Sequence, residues 1–141
     1  MQRIIIGKEY PRVVGEFVRN AKKSIKILIY DWRWYKGEVG TKIQKFNREI
    51  INATKRGVKV EALVNIEVIK SQLRGSKIKI KKVDTKKTMH AKMLIVDDRF
   101  LILGSHNLTK NAFEINHEVS VVIDDSLAVS RCVEFFNNLG C

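Results

Sequence analysis

The chain is poor in the residues that staple or anchor a protein. Its 141 residues include two cysteines and one proline. Neither Cys132 nor Cys141 has partners at the spacing of a zinc site, so a metal-stapled or disulfide-dense scaffold is excluded. Cys132 is expected as a core thiol on a helix and Cys141 as a terminal thiol, both in a reducing compartment. No apolar run approaches the roughly 20 residues that span a bilayer. The Ile4-Ile5-Ile6 run near the start is too short for a secretory leader. These absences predict a cytoplasmic protein with no stable membrane association. Repeats, low-complexity tracts and linkers are also missing, which predicts one domain over residues 1–141.

Acidic residues are scarce as well. Lys and Arg number 27 against 15 Asp and Glu, a formal charge of +12. For one small domain that imbalance favours a polyanionic partner, with nucleic acid first and an anionic membrane surface second. The excess is densest from Lys70 to Lys92, where nine Lys or Arg face one acid, Asp84. Lys86 and Lys87 lie in this stretch and are candidates for phosphate binding. Hydrophobic residues make up 45% of the chain, enough to build a packed core.

Periodicity gives an α/β pattern. Ile4–Ile6 reads as a short strand, and residues 9–23 place Val13, Val14, Phe17, Val18 and Ala21 on one helical face. Pro11 suits that helix's first turn. Ser24 to Tyr30 reads as a buried strand, Gly40 to Arg56 as a second helix ended by Gly57, and Val58 to Asn65 as the next strand. Short strand–helix–strand connections predict parallel neighbours. Ile66 to Arg74 reads as a short helix, and Ser76 to Val83 alternates Lys with Ile. Two further strands, His90–Asp97 and Phe100–Leu103, are expected to form a hairpin about Asp97-Asp98-Arg99. A helical turn at Thr109–Phe113 and a strand at Glu118–Ile123 follow. The last helix, capped by Asp124 or Asp125, should bury Ala128, Cys132, Phe135, Phe136 and Leu139.

The hairpin carries the chemistry. Residues two apart on a strand share a face, so His90 and Lys92 should sit side by side, as should Ser105 and Asn107. An imidazole, a cation, a hydroxyl and an amide gathered at one rim suit a phosphate, whose oxygens need donors and whose phosphorus needs a nucleophile. The full pattern, His90-x-Lys92-(x)4-Asp97 then Gly104-Ser105-x-Asn107, continuing to Asn116-His117-Glu118, resembles the HKD signature of the phospholipase D superfamily. It is most similar to the small, single-motif endonuclease branch. The likeness is strong from Thr88 to Ile123 and looser before that.

That resemblance implies a single-domain α/β fold with a mixed, mostly parallel central sheet and helices on both faces. It implies a phosphodiesterase that hydrolyses nucleic acid through a covalent phosphohistidine on His90, with no cofactor and no metal. One imidazole cannot be deprotonated for attack and protonated for the leaving group in the same step, so a second His90 from a homodimer partner is expected. Lys92 and Asn107 would hold the non-bridging oxygens, with Ser105 in support. Glu118 would accept a hydrogen bond from the far nitrogen of His90 and set its tautomer. Gly104 and Asp97 belong to the motif as structural members. Asp97 lies roughly 16 Å along the strand from Lys92 and is expected to hold the hairpin turn through its carboxylate.

Trp32 and Arg33 follow a strand end, where ligands gather in open α/β sheets, and are candidates to stack bases and hold phosphates; the other reading of Trp32 is a core cap. His106 and His117 fall on the opposite parity from the motif residues and read as structural. Two other functions share the pattern: a lipid-directed phosphodiesterase or phosphatidyl transferase, and a nucleic-acid-binding module without turnover.

Overall fold

A computed structural model describes residues 1–140, apart from Glu67, Asp84 and Thr85. The expectations for Asp84 and Cys141 lie outside the described residues. Seven strands form one sheet: β1 (Gln2–Ile6), β2 (Ser24–Ile29), β3 (Lys59–Val64), β4 (Lys79–Lys82), β5 (Lys92–Val96), β6 (Phe100–Gly104) and β7 (Val119–Ile123), in the order β1-β7-β6-β5-β2-β3-β4. The helices are α1 (Tyr10–Asn20), preceded by a 3-10 turn at Gly7–Glu9, then α2 (Lys42–Lys55), α3 (Val68–Gln72), α4 (Lys110–Glu114) and α5 (Ser126–Leu139).

The α/β class, the mixed sheet and helices on both faces are as expected. The balance of pairings is not. β2–β3 and β3–β4 are parallel, whereas β1–β7, β7–β6, β6–β5 and β5–β2 are antiparallel. The sheet is therefore mostly antiparallel. Short strand–helix–strand connections enforce parallel pairing only from β2 through β3 to β4. β5 enters beside β2 from the opposite direction, and the chain continues β5–β6–β7 antiparallel.

Local chemistry fixes the ends of the elements. Pro11 sits in the first turn of α1, and Glu9 Oε2 accepts a bond from Ile6 N at 2.9 Å. The Thr41 side chain caps α2, and Gly57 takes the left-handed conformation after it, with φ +94°. Of the two candidates for capping α5, Asp125 does so, accepting from Ala128 N at 2.9 Å, while Asp124 pairs with the N-terminal amine.

The sheet separates two cores. Ile25, Ile27 and Ile29 of β2 pack with Val13, Val14, Val18, Ile43, Phe46 and Ile50 of α1 and α2. Leu28, Met93, Ile95 and Leu101 pack on the other face with Val129 and Phe136 of α5. Strand alternation produces this split, since neighbouring residues point to opposite faces. On α5, Ala128, Cys132 and Leu139 pack at the core edge, but Phe135 is 50% exposed.

Candidate active site

Asp97 follows the end of β5, whereas His90, Lys92, Ser105, Asn107 and Glu118 lie at the opposite rim of the sheet. β5 begins there and β6 ends there, while β7 begins there, so the antiparallel order brings Lys92, Gly104 and Val119 together. His90 lies two residues before β5 and is exposed. The side-by-side expectation for His90 and Lys92 is met. Lys92 Nζ lies 3.2 Å from His90 Nδ1 and donates to the His90 carbonyl at 2.9 Å. An ammonium only donates, so Nδ1 accepts and the proton of the neutral ring sits on Nε2.

Gly104 is required by packing. A Cβ there would come within 2.4 Å of Ser120 Cα on β7 and 2.5 Å of the Val119 carbonyl. With glycine, Ser105 closes on the neighbouring strand. Its N–H donates to Val119 O at 3.0 Å, and its Oγ accepts from Val119 N at 3.0 Å and donates to Glu118 Oε1 at 2.7 Å. Asn116 Nδ2 donates to the other Glu118 oxygen at 3.3 Å. Asn107 Oδ1 accepts from Asp31 N at 3.1 Å, which directs the amide NH2 away from that backbone contact.

Glu118 departs from expectation. It bonds Ser105 and Asn116 rather than the far nitrogen of His90, and Lys92 takes the Nδ1 position instead. Its charge still reaches the site. Burial pushes the Lys92 ammonium below the usual lysine range, and the Glu118 carboxylate pulls in the other direction.

Tyr30 was not anticipated. Its ring centroid lies 4.8 Å from the His90 ring, tilted by 55°, and Lys92 Nζ stands 5.7 Å over it. One aromatic ring therefore contacts both the imidazole and the cation. The pairing of Ile29 with Lys92 puts the next residue, Tyr30, under them. Only that cross-strand register reveals the contact.

Asp97 has a different partner from the one expected. Its carboxylate accepts from the N–H groups of Lys22, Lys23 and Ser24 at 2.7 to 3.1 Å, and so fixes the α1–β2 connection. Burial works to raise its pKa, but those three backbone donors outweigh it and the carboxyl falls below the usual range. The turn itself is carried by backbone: Asp97 and Asp98 both have positive φ, 56° and 50°, with Arg99 N donating to Val96 O at 3.0 Å.

Trp32 is fully buried, with its indole N–H donated to Asn47 Oδ1 at 2.8 Å, so it is a core residue and offers no stacking surface. Arg33 lies half-buried beside the site and pairs with Asp31 at 2.6 Å. With Tyr35, Asn107, Lys110 and Asn116 it lines a cavity of about 480 Å³. Lys86 and Lys87 are exposed on the segment leading into His90. His106 is structural as expected. It is buried and stacked on Tyr10 at 4.5 Å. The Gly7 carbonyl, 2.9 Å from Nε2, can only accept, so Nδ1 must accept from the Ser120 hydroxyl at 2.7 Å. Burial holds this imidazole below its usual pKa. His117 is exposed. Among the described residues no three His, Cys, Asp or Glu side chains gather in a way that could hold a metal ion, and no helix is long and apolar enough to cross a membrane.

A mixed seven-stranded sheet with helices on both faces, and with His, Lys, Ser, Asn and Glu side chains at one rim, defines the chain as an α/β protein. More particularly, the chain belongs to the phospholipase D-like family: the model described as cardiolipin synthase, PLD-like domain, matches residues 15–139. A comparison with curated proteins finds no match. Among solved structures the fold is similar to NucT from Helicobacter pylori, at 22% identity, TM-score 0.80, covering 99% of this chain and 94% of that one. It is also similar to Nuc from Salmonella typhimurium, a phospholipase D family member, at 22% identity, TM-score 0.81, covering 98% and 93%. The archaeal chromatin protein TrmBL2, described as having a novel mode of DNA binding, shares the fold at TM-score 0.64 and 22% identity, covering 97% of this chain and 51% of that one.

Proposed function

We propose that the protein is a metal-independent phosphodiesterase that cleaves nucleic acid through a phosphohistidine, with its active site shared by two copies of the chain. The observation that carries this reading is the convergence of His90, Lys92, Asn107 and the Ser105–Glu118 pair at one sheet edge of a +12 chain. In the first step an imidazole nitrogen of one His90 attacks phosphorus, the P–N bond forms and the P–O bond to the leaving alkoxide breaks. The partner's His90 gives that alkoxide a proton. Water then attacks, returns a proton to the partner's imidazole and breaks the P–N bond. Lys92 and the Asn107 amide hold the non-bridging oxygens. Substrate phosphate draws Lys92 off Nδ1, which frees the imidazole to take the attacking tautomer.

The shared site is supported by an unfinished layer. α5 covers only part of its sheet face. At the β1–β7 edge of that face, Ile4, Ile6 and Val119 are 52% to 63% exposed, and α5 itself exposes Leu127 and Phe135. Two-fold symmetry would lay each α5 against the other copy's open sheet edge, and an apolar patch of this kind marks an interaction surface.

The test is cleavage of DNA and RNA in excess chelator, compared with His90→Ala, together with acid trapping of a 32P-labelled protein adduct. Cleavage by wild type and none by the variant supports the proposal. Equal cleavage by both, or none by wild type across pH, removes it. The family description also names a lipid enzyme. Release of head group from phospholipid vesicles without nucleic-acid cleavage would favour that second reading.

A further inference from the structure

Away from the motif, α1 and α2 enclose a surface groove of about 410 Å³. Five cations line it: Lys8 from the 3-10 turn, Arg12 and Arg19 from α1, and Lys42 and Lys45 from α2; Glu49 is the one acid. Among the described residues none of the five is in an ion pair, although Lys26, Arg33, Lys59 and Lys110 elsewhere on the chain all are. Lys8 and Arg12 are four apart and Lys42 and Lys45 three apart, spacings at which like charges repel. Such a groove calls for an external anion.

Its floor is shaped by Gly15. A Cβ there would meet the Arg19 guanidinium at 3.3 Å, so glycine lets Arg19 lie back along the helix. A glycine inside a helix destabilises it relative to alanine. Arg12 and Arg19 stand seven residues, roughly 10 Å, apart along α1. The groove also has a fixed relation to the active site. Gly7 N donates to the Glu118 carbonyl at 2.9 Å, which ties the turn carrying Lys8 to the start of β7.

We propose that this groove is a second binding site, which tracks the phosphate backbone of a nucleic-acid strand several nucleotides from the bond being cut. The inference rests on the nuclease reading above and deepens it. The groove recognises phosphates without reading sequence, because its one aromatic, Phe46, is buried and offers no face for a base. Arg12 and Arg19, roughly 10 Å apart along α1, can meet successive phosphates of a polymer. Its apolar lining is limited to Pro11 and buried Phe46, so nothing projects that could enter a lipid bilayer.

The experiment compares the full chain with R12E/R19E/K45E and with a control of equal charge change outside the groove, K22E/K55E/K59E. The probes are a 40-nucleotide single strand, a duplex of the same length, a small aryl phosphodiester, and phosphatidylglycerol vesicles. The groove variant is expected to bind the long nucleic acids at least ten-fold more weakly, with the log–log salt slope reduced by about one per lost contact. Its cleavage of the small diester stays within two-fold of wild type. If the variant misfolds by thermal melting, R12A and R19A singly carry the same test. Unchanged oligonucleotide binding and salt slope, an equal loss in the control, or a loss confined to vesicles would overturn the groove. Absence of any cleavage by wild type would instead sink the nuclease reading, while the binding comparison would still decide the groove.

Discussion

Lys92 Nζ lies 3.2 Å from Nδ1 of His90 and 2.9 Å from the His90 carbonyl, which binds cation and imidazole into one unit before any substrate arrives. Replacing Lys92 by Met removes the charge opposite the phosphate oxygens. It should lower kcat by about 10²- to 10³-fold, the range for losing one transition-state donor. Single-turnover cleavage of an oligonucleotide measures it.

The same lysine makes a pH prediction with a defined sign. The protonated ammonium is the working form, and burial already lowers its pKa while Glu118 opposes that shift. Glu118→Gln removes the opposing charge, so the pKa should fall further and the alkaline limb of the kcat profile should move to lower pH. A limb that stays in place or moves up would show that Glu118 does not act on Lys92.

Tyr30 touches both His90 and Lys92, so it is a positioning residue. Tyr30→Phe keeps the ring and should retain activity within about two-fold. Tyr30→Leu should cost roughly ten- to a hundred-fold in kcat with KM little changed, as misplaced reacting groups do. Equal effects of the two variants would point to the hydroxyl instead.

Asp97→Asn keeps the shape but removes the charge that accepts three backbone N–H groups. The expected loss is about 2 kcal/mol by urea unfolding at neutral pH. The folded pKa is depressed, so the stabilisation is complete above the unfolded value of about 4. It disappears as pH falls through the folded value, and the gap between wild type and variant should close there. The turn should survive, because it rests on backbone bonding.

Phe135→Glu and Leu127→Asp place charge on the exposed side of α5, where the native side chains are 50% and 67% exposed. The folded monomer should tolerate both. Sedimentation should show monomers, and cleavage should disappear although His90 and Lys92 are intact. Full activity in a strict monomer would exclude the shared site.

By itself the sequence determined the elements and the identity of the motif. Caps, glycine stops and hydrophobic periods are local signals, and they located the helices by Pro11, by Gly57 and by Asp124 or Asp125, and the hairpin at Asp97-Asp98. The motif was legible because spacing along strands puts His90 with Lys92 whatever the rest of the fold does. Only the tertiary structure decided the relationships that depend on how distant segments pair. β5 runs antiparallel beside β2, which makes the sheet mostly antiparallel and brings Tyr30 under His90. Trp32 is drawn wholly inward by the core and by Asn47, so an aromatic beside an arginine was a false sign of base stacking. Asp97 serves the α1–β2 loop more than 70 residues earlier, and Glu118 is engaged by Ser105 and Asn116. A carboxylate takes whichever donors the packed chain presents to it, and no local pattern encodes which ones those will be.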